Sequence, residues 1–316
     1  RLLMEVLRGD PALFMHREEV ESAWKWIDGI IDSWAAQEMP VQPYVAGTWG
    51  PTDAVRLLDN AIDLSHYPLP QQREQMQATR RIGLGITGLA DALMMLDIRY
   101  GDEASFALAS NLMQTIRDAS YRASVELARE KGAFPAFDTT AYLASPFIER
   151  LPDDIREDIA RVGIRNSHLL AIAPAGTISL LAGNISSGLE PVFEKRYRRR
   201  VRIDGEWKEF DVEDYGCKQW RELGLPGEPP SWVGARELSP DLHLKMQASL
   251  QPFVDSAISK TVNIPASMPY EDYRGLYEKA WRLGLKGCTT YRPNTITGSV
   301  LDTPDGGCCR IDREGG

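Results

Sequence analysis

The chain has 316 residues, of which 36 are Lys or Arg and 45 are Asp or Glu, and its net charge is −9. It is 43% hydrophobic and 26% charged, the balance of a globular protein rather than a disordered or fibrous one. No apolar run approaches the roughly 18 residues of a membrane-spanning helix, and the charge balance is acidic rather than basic, so we expect neither membrane nor nucleic acid as a partner.

Apolar residues at three- and four-residue spacing predict helices along much of the chain. The predicted helical stretches are 1 to about 36, Ala54 to Tyr67, Gln71 to Arg81, Leu89 to Leu96, Leu108 to Gly132, Leu242 to Ile258 and Tyr270 to Leu283. A polar, Pro-marked connector is predicted between Phe134 and Gly163.

Two regions of the sequence predict extended structure instead. The apolar run His168–Ala173 has the length of a strand, and residues 192–212 predict a hairpin with Asp204 and Gly205 as its turn. From about Thr295 the chain is predicted to be a tail. Helices that alternate with short apolar strands indicate an α/β fold.

Cysteine usage indicates the compartment. Four cysteines, Cys217, Cys288, Cys308 and Cys309, are too few in 316 residues for a disulfide scaffold. The first residues form a helical pattern rather than a signal peptide, so we expect a cytoplasmic protein. Because neither the cysteines nor the four histidines have zinc-site spacing, we expect no metal site. The sequence begins with Arg1 rather than Met, from which we expect a start inside a longer reading frame.

Gly83, Gly85 and Gly88 satisfy the G-x-G-x-x-G pattern of dinucleotide-binding proteins. That pattern binds a pyrophosphate where a buried strand leads into the glycines. Here a polar, helix-like stretch comes before them, so close packing of helices through small residues is the better interpretation.

The segment Pro174–Ser179 is a stronger candidate for binding. Pro174 ends the apolar run, Gly176 permits close approach to the backbone, and Thr177 and Ser179 supply hydroxyls. Backbone N–H groups at a strand-to-helix corner suit a phosphate. The alternative is an ordinary turn between a strand and a helix.

The segment Lys195–Arg202 places six positive charges in eight residues. As a strand it would present Arg196, Arg198, Arg200 and Arg202 on one face. A nucleic-acid-binding stripe is one interpretation, but a solvated edge strand protected against aggregation is favoured.

Six motifs follow one another from about Val55 to Leu301. They are Leu57–Asp63 with Tyr67–Pro70, Arg80–Asp91, Ala173–Ser179, Ser186–Phe193, Asp255–Pro265 and Gly284–Asn294. Together they closely resemble the C-terminal half of the catalytic chain of cobalamin-dependent (class II) ribonucleotide reductases. The resemblance implies a partial ten-stranded α/β barrel of the ribonucleotide reductase type, adenosylcobalamin as cofactor and a ribonucleotide as substrate.

The resemblance also assigns roles to residues. It implies that Ala175, Gly176, Thr177, Ile178 and Ser179 bind the substrate's phosphates through backbone amides. Ala175 stands where the family usually has Thr, so we expect weakened rather than abolished binding. The resemblance gives the glycines of the G-x-G-x-x-G pattern a packing role. It also includes an arginine-rich stretch after the Glu-Pro-Val-Phe motif, which further disfavours nucleic acid.

Residues 1–53 resemble a different family. Arg1–Asp10, Ala23–Asp28 and Pro43–Pro51 look like the extreme C-terminus of bacterial glucose-6-phosphate dehydrogenase, whose catalytic residues precede this segment. We therefore expect a chimera with an N-terminal helical segment over 1–53, a reductase barrel half over 54–301 and a flexible tail over 302–316.

The reductase family's catalytic motif, N-x-C-x-E, does not occur in the sequence. In the family its cysteine becomes the radical that attacks the ribose, so we assign no catalytic residue and expect the chain alone to be inactive. Cys308 and Cys309 resemble the family's tail thiols, which makes them candidate redox residues. Unreactive exposed thiols are an equally good interpretation.

Two other interpretations of function remain open. A non-catalytic or artefactual fusion is the alternative, and a glucose-6-phosphate dehydrogenase fragment, which would bind a nicotinamide cofactor, is a third. Because half a barrel leaves open sheet edges, we also expect a homo-oligomer or poor solubility.

Overall fold

The structure is a computed structural model that describes residues 51–203, 206–292 and 301–302. The helices predicted before residue 37, the hairpin turn at Asp204 and Gly205, and the cysteine pair Cys308 and Cys309 lie outside these residues. The described ranges contain both helices and strands, a mixed content that is consistent with the predicted α/β class.

The helices of the described ranges surround a small set of extended segments. They are α1 (Pro51–Leu64), α2 (Pro70–Thr79), α3 (Leu89–Met95), α4 (Glu103–Lys131), α5 (Thr139–Leu143), α6 (Asp153–Val162), α7 (Gly176–Leu181), α8 (Tyr215–Glu222), α9 (Pro240–Leu250) and α10 (Tyr270–Arg282). Short 3-10 turns cover Ile148–Arg150 and Gln251–Phe253. None of these helices is long and apolar enough to cross a membrane.

Two helix predictions were wrong. The predicted connector from Phe134 to Gly163 contains α5 and α6. The buried residues of α6 are Ile155 and Ile159, and two apolar positions are too few to form a recognisable helical stripe in the sequence. The helix predicted as far as Ile258 ends at Leu250. Pro252 follows in a 3-10 turn, and a proline ring disfavours continuation of an α-helix.

An arc of parallel strands forms the centre of the fold. Leu84 pairs with Leu170, and Ile172 pairs with Ile258, both in parallel. The segment that contains Ile258 continues into β3 (Thr261–Asn263), which pairs in parallel with β4 (Thr289–Tyr291). The predicted strand from His168 to Ala173 is therefore paired on both sides within this arc, and we refer to it as the inner strand. The described segments do not close into a barrel.

The glycine pattern serves this close pairing. A Cβ on Gly85 would lie 2.5 Å from the carbonyl oxygen of Ala171, and one on Gly83 would lie 3.2 Å from the Ala171 Cβ. Gly88 has φ +80° and caps the start of α3. Close packing is therefore correct for Gly83 and Gly85, but these glycines pack one strand against another, whereas the prediction was that they pack helices.

The predicted hairpin is confirmed, but the prediction that its arginine-rich strand lies at a sheet edge is wrong. Strands β1 (Arg196–Ile203) and β2 (Glu206–Glu213) pair antiparallel, while β5 (Leu301–Asp302) pairs with the other side of β1. The arginine-rich strand is therefore the middle of a three-stranded sheet. Among its described side chains, Arg196 pairs with Glu213 of β2 at 3.0 Å, and Arg198 lies 3.5 Å from Glu209 and Asp211 of the same strand.

A buried charge network joins α1 to the rest of the fold. Asp59 is fully buried and accepts hydrogen bonds from Arg80 Nε at 2.8 Å and from Asn166 Nδ2 at 3.1 Å. Arg165 and Lys131 each place a nitrogen 3.3 Å from its other oxygen. Burial alone raises the pKa of Asp59, but the Arg80 hydrogen bond and the charges of Arg165 and Arg80 outweigh it, so the pKa is lowered.

Candidate functional site

The predicted strand-to-helix corner lies at the carboxyl end of the inner strand. Ala175 is the N-cap residue, with φ −86° and ψ 43°, and α7 begins at Gly176. The N–H groups in the first turn of a helix have no acceptor within the helix. The amides of Gly176, Thr177 and Ile178 therefore face a ligand or solvent rather than helical carbonyls.

Ser179 shapes this corner from within. Its N–H donates to the Ala175 carbonyl at 2.7 Å, and its Oγ donates to the Gly176 carbonyl at 2.8 Å. Its own carbonyl accepts from the N–H groups of Asn184 and Ile185. Because both of its donors are used inside the turn, Ser179 acts on the corner's shape and not as a direct donor to a ligand.

Open space lies next to the start of α7. A Cβ built on Gly176 would meet no atom within 4 Å, and Ile178 is 62% exposed. A backbone that is both accessible and rich in N–H groups is what an anion requires.

A cavity of about 370 Å³ adjoins the corner. Its lining includes Asn184, Ser186, Glu190, Phe193 and Asn263. The cavity lies outside the carboxyl ends of the inner strand and β3, where ligands of parallel α/β folds bind. Its volume falls within the range of small-molecule sites, about 300–1,000 Å³.

One wall of the cavity is fixed by Asp91, which lies in the first turn of α3. Asp91 Oδ2 accepts from the Ser186 N–H at 2.5 Å, and Oδ1 accepts from the Gly216 N–H at 2.9 Å. In return, Ser186 Oγ accepts from the Ala90 N–H at 3.0 Å. These bonds hold the loop after α7 and the start of α8 against one helix end.

A second buried carboxyl, Asp214, lines the cavity beside Asp91. Burial, with the nearby Asp91 charge, raises the pKa of Asp214 to about 7. The pKa of the Cys217 thiol is also raised, chiefly by burial and then by Asp214. A thiol in this environment is a poor nucleophile.

The opposite wall carries a buried ion pair. Glu190 accepts from Lys260 Nζ at 2.5 Å and from the Thr261 N–H at 2.6 Å, while Lys260 is almost fully buried. Burial lowers the pKa of Lys260, and the Glu190 charge opposes this. Burial raises the pKa of Cys288. The pair therefore fixes the strand ends beside the cavity, and Cys288 does not present a ready thiolate.

The structure places the predicted site residues Ala175 to Ser179 together and adds residues that no spacing rule identified. Asp91, Ser186, Glu190 and Lys260 all lie inside the family-like motifs, which was the signal that could have found them. Among the described residues, no group of three or more His, Cys, Asp or Glu side chains could hold a metal ion.

Two family profiles match the chain. Residues 52–291 match the ribonucleotide reductase barrel domain, and residues 1–65 match the glucose-6-phosphate dehydrogenase C-terminal domain. The first match covers most of the described structure. The second covers the N-terminal segment and the whole of α1.

Curated proteins give a consistent result. A vitamin B12-dependent ribonucleoside-diphosphate reductase of Mycobacterium tuberculosis (strain H37Rv) is 37% identical over 269 residues, which cover 78% of this chain and 35% of that protein. The corresponding protein of Thermoplasma acidophilum is 33% identical over 269 residues, covering 78% of this chain and 33% of that protein. The chain thus spans about a third of the length of these relatives.

Proposed function

Since this chain belongs to the ribonucleotide reductase barrel-domain family, we propose that its corner from Ala175 to Ser179 holds the phosphates of a ribonucleotide. The backbone amides of Gly176, Thr177 and Ile178 would bind the phosphate oxygens. The adjoining 370 Å³ cavity would take the remainder of the nucleotide. The observation that carries this proposal is the open space beside Gly176, where the first-turn amides are accessible.

The described lining favours binding of the phosphates by uncharged backbone N–H groups rather than by cationic side chains. The described residues around the cavity include no Lys or Arg, and they include three carboxyls, those of Glu190, Glu194 and Asp214. Binding would therefore depend on amide dipoles and on the fixed walls, which Asp91 and the Glu190–Lys260 pair position. Relatives are named ribonucleoside-diphosphate reductases, so a diphosphate is the first nucleotide to test.

We propose that these 316 residues bind a ribonucleotide without reducing it, because they contain no N-x-C-x-E motif. Calorimetry of the purified chain should show saturable binding of a ribonucleoside diphosphate and none of the unphosphorylated ribonucleoside. With adenosylcobalamin and a dithiol added, no deoxyribonucleotide should form. Equal binding of both compounds would refute the phosphate site, and deoxyribonucleotide formation would refute the inactivity.

Adenosylcobalamin is the group that the relatives' names imply, since they are called vitamin B12-dependent. The described residues do not fit it by themselves. The cavity at the corner has a volume of about 370 Å³, near the lower end of the size range for small ligands, and leaves no space for a cobalamin beside a nucleotide.

The proposed organisation follows the two family matches. A glucose-6-phosphate dehydrogenase-like segment over 1–53 would precede the reductase barrel half over 54–301 and a tail over 302–316 whose Cys308 and Cys309 could serve redox exchange. The Asp59–Arg80 pair supports placing α1 within the reductase half. A cytoplasmic location fits this family, and sequencing the gene across codons 50–60 would test the junction.

A homo-oligomer is the proposed assembly. Among the described strands, β4 pairs with β3 on one side only, which leaves an edge that another chain could pair with. Light scattering after size-exclusion chromatography should give a mass above that of one 316-residue chain. A sharp monomer peak would contradict this.

A further inference from the structure

A larger cavity lies at the opposite, amino-terminal end of the same parallel strands. Its volume is about 810 Å³, and it lies between the start of the inner strand at His168, the turn at Asp255 and the segment Phe134–Arg150. The phosphate-binding corner contributes no residue to this lining. The proposed function therefore leaves the cavity unused.

Aromatic rings form one wall of this cavity. Phe134, Tyr142 and Phe147 line it, and the rings of Phe134 and Tyr142 meet edge to face with centroids 5.9 Å apart. The ring of Phe147 lies 5.9 Å from that of Tyr121, which also belongs to the lining. A wall of this kind suits a planar, apolar ring.

Of the two acidic residues that line the cavity, Asp138 accepts from the Ala141 N–H at 2.7 Å. The other, Asp255, is also satisfied by the protein itself. Its carboxylate accepts from the N–H groups of Leu169 at 2.7 Å and Leu170 at 3.0 Å, and from the Tyr121 hydroxyl at 2.8 Å. The carboxylate therefore secures the start of the inner strand. It does not form an ion pair with the cations nearby.

Those cations are Lys286 and Arg150. Lys286 Nζ donates to the main-chain oxygen of Asp255 at 2.5 Å and lies 5.9 Å from the centre of the Phe147 ring. Over residues 51–203 and 206–292, neither cation forms a salt bridge with a carboxylate. Burial lowers the pKa of Lys286, and the charge of Arg150 lowers it further, while Asp255 raises it.

His168 adds no strong positive charge to the pair. Its pKa is lowered, first by burial and then by the charges of Arg81 and Lys286, against the opposing effect of Asp255. Two neighbouring cations that lack a carboxylate partner are stabilised by an anion placed between them.

We propose that this cavity binds a small molecule that combines a planar ring with one phosphate or carboxylate group. The anionic group would lie between Lys286 and Arg150, and the ring would rest on Phe134, Tyr142 and Phe147. This site is separate from the nucleotide corner by the length of the inner strand.

The test uses calorimetry on the full chain with phenyl phosphate and benzoate as probes. Inorganic phosphate, which has the anion without the ring, and benzyl alcohol, which has the ring without the anion, are the reference compounds. At least one of the two anionic aromatic probes should bind more tightly than inorganic phosphate and benzyl alcohol. The probe that binds more tightly shows whether the site prefers a phosphate or a carboxylate. Lys286→Gln and Arg150→Gln should each weaken that binding at least fivefold. The control Arg274→Gln, on exposed α10, should change it less than twofold.

NMR chemical shifts of the backbone amides locate the bound probe in the same samples. Those of residues 145–150 should shift on binding, while those of 175–188 at the nucleotide corner should not. Arg150 is an exposed side chain on a 3-10 turn, so its substitution keeps the test sound even if Lys286→Gln disturbs folding. Absent binding, unaltered affinity in Arg150→Gln, or shifts confined to 175–188 would overturn the proposal.

Discussion

The charge of Asp59 is important for the stability of the described fold. It is fully buried and faces Arg80, Arg165 and Lys131, so its removal leaves cations with too few acceptors in a protein interior. Breaking a buried pair from one side typically costs about 3–5 kcal/mol. We expect Asp59→Ala to lower the free energy of unfolding by about that amount in urea titrations.

The control is an exposed pair between α1 and a neighbouring helix. Arg56 and Glu130 join α1 to α4 through a bidentate bridge with both side chains in solvent. Exposed pairs contribute little, so Arg56→Ala should leave the urea midpoint almost unchanged. An effect as large as that of Asp59→Ala would show that helix docking, and not charge burial, dominates.

His243 gives the stability a specific pH dependence. Burial, followed by the charge of Lys260, lowers the pKa of His243 to about 3. In the unfolded chain a histidine titrates near about 6.5, so between these values the unfolded state binds the extra proton. The contribution of neutral His243 to the free energy of unfolding is therefore complete above about pH 6.5. It is lost as the pH falls toward 3, by up to about 1.4 kcal/mol per pH unit.

The variant His243→Gln isolates this contribution. An amide can still donate to the Ala235 carbonyl, which lies 3.2 Å from His243 Nε2. The comparison with wild type is needed because Asp214, whose pKa burial raises to about 7, acts in the opposite direction over much of the same range. The difference in unfolding free energy between the two proteins should change steadily from pH 6.5 to 4, and a constant difference would contradict the assignment.

At the scale of elements, close pairing of the first two strands of the arc depends on Gly85. A methyl group there would lie 2.5 Å from the Ala171 carbonyl oxygen, which belongs to the backbone and moves only if the strands separate. Overpacking of this kind costs about 1–3 kcal/mol. We expect Gly85→Ala to lower the thermal midpoint clearly.

Gly287→Ala is the matched control, since a Cβ on Gly287 would meet no atom within 4 Å and its φ is not positive. Its thermal midpoint should stay near that of wild type. Equal losses in both variants would mean that strand proximity is not the cause.

The sequence predicted those elements whose signal is local. The continuous apolar run from His168 to Ala173 and the Asp-Gly hairpin are visible in a single window, and both are in the structure except for the turn itself, which lies outside the described residues. The segments at 82–84 and 256–263 were not predicted as strands. Both are short; the first lies among glycines, and the second pairs with residues far away in the sequence. The middle position of β1 depends on residues 301–302, about a hundred positions away.

The candidate site divides in the same way. The corner from Pro174 to Ser179 was predicted because Pro, Gly and hydroxyl residues follow a strand directly. Glu190 and Lys260 are 70 residues apart, and only the fold brings them to 2.5 Å. No periodicity or spacing rule connects such a pair.

For the whole molecule, the account depends on accessible amides at Gly176 receiving a nucleotide's phosphates. Gly176 and Gly275 are matched positions, since a Cβ on either would meet nothing within 4 Å. A valine at 176 would fill the space that the phosphates need, whereas a valine at 275 lies on the exposed surface of α10. Both variants should fold, which circular dichroism verifies.

The decisive measurement is therefore the dissociation constant of a ribonucleoside diphosphate for the wild-type chain, Gly176→Val and Gly275→Val, by calorimetry in one buffer. We expect Gly176→Val to weaken binding at least tenfold and Gly275→Val to change it less than twofold. Unchanged affinity in a folded Gly176→Val protein would contradict a phosphate site at this corner.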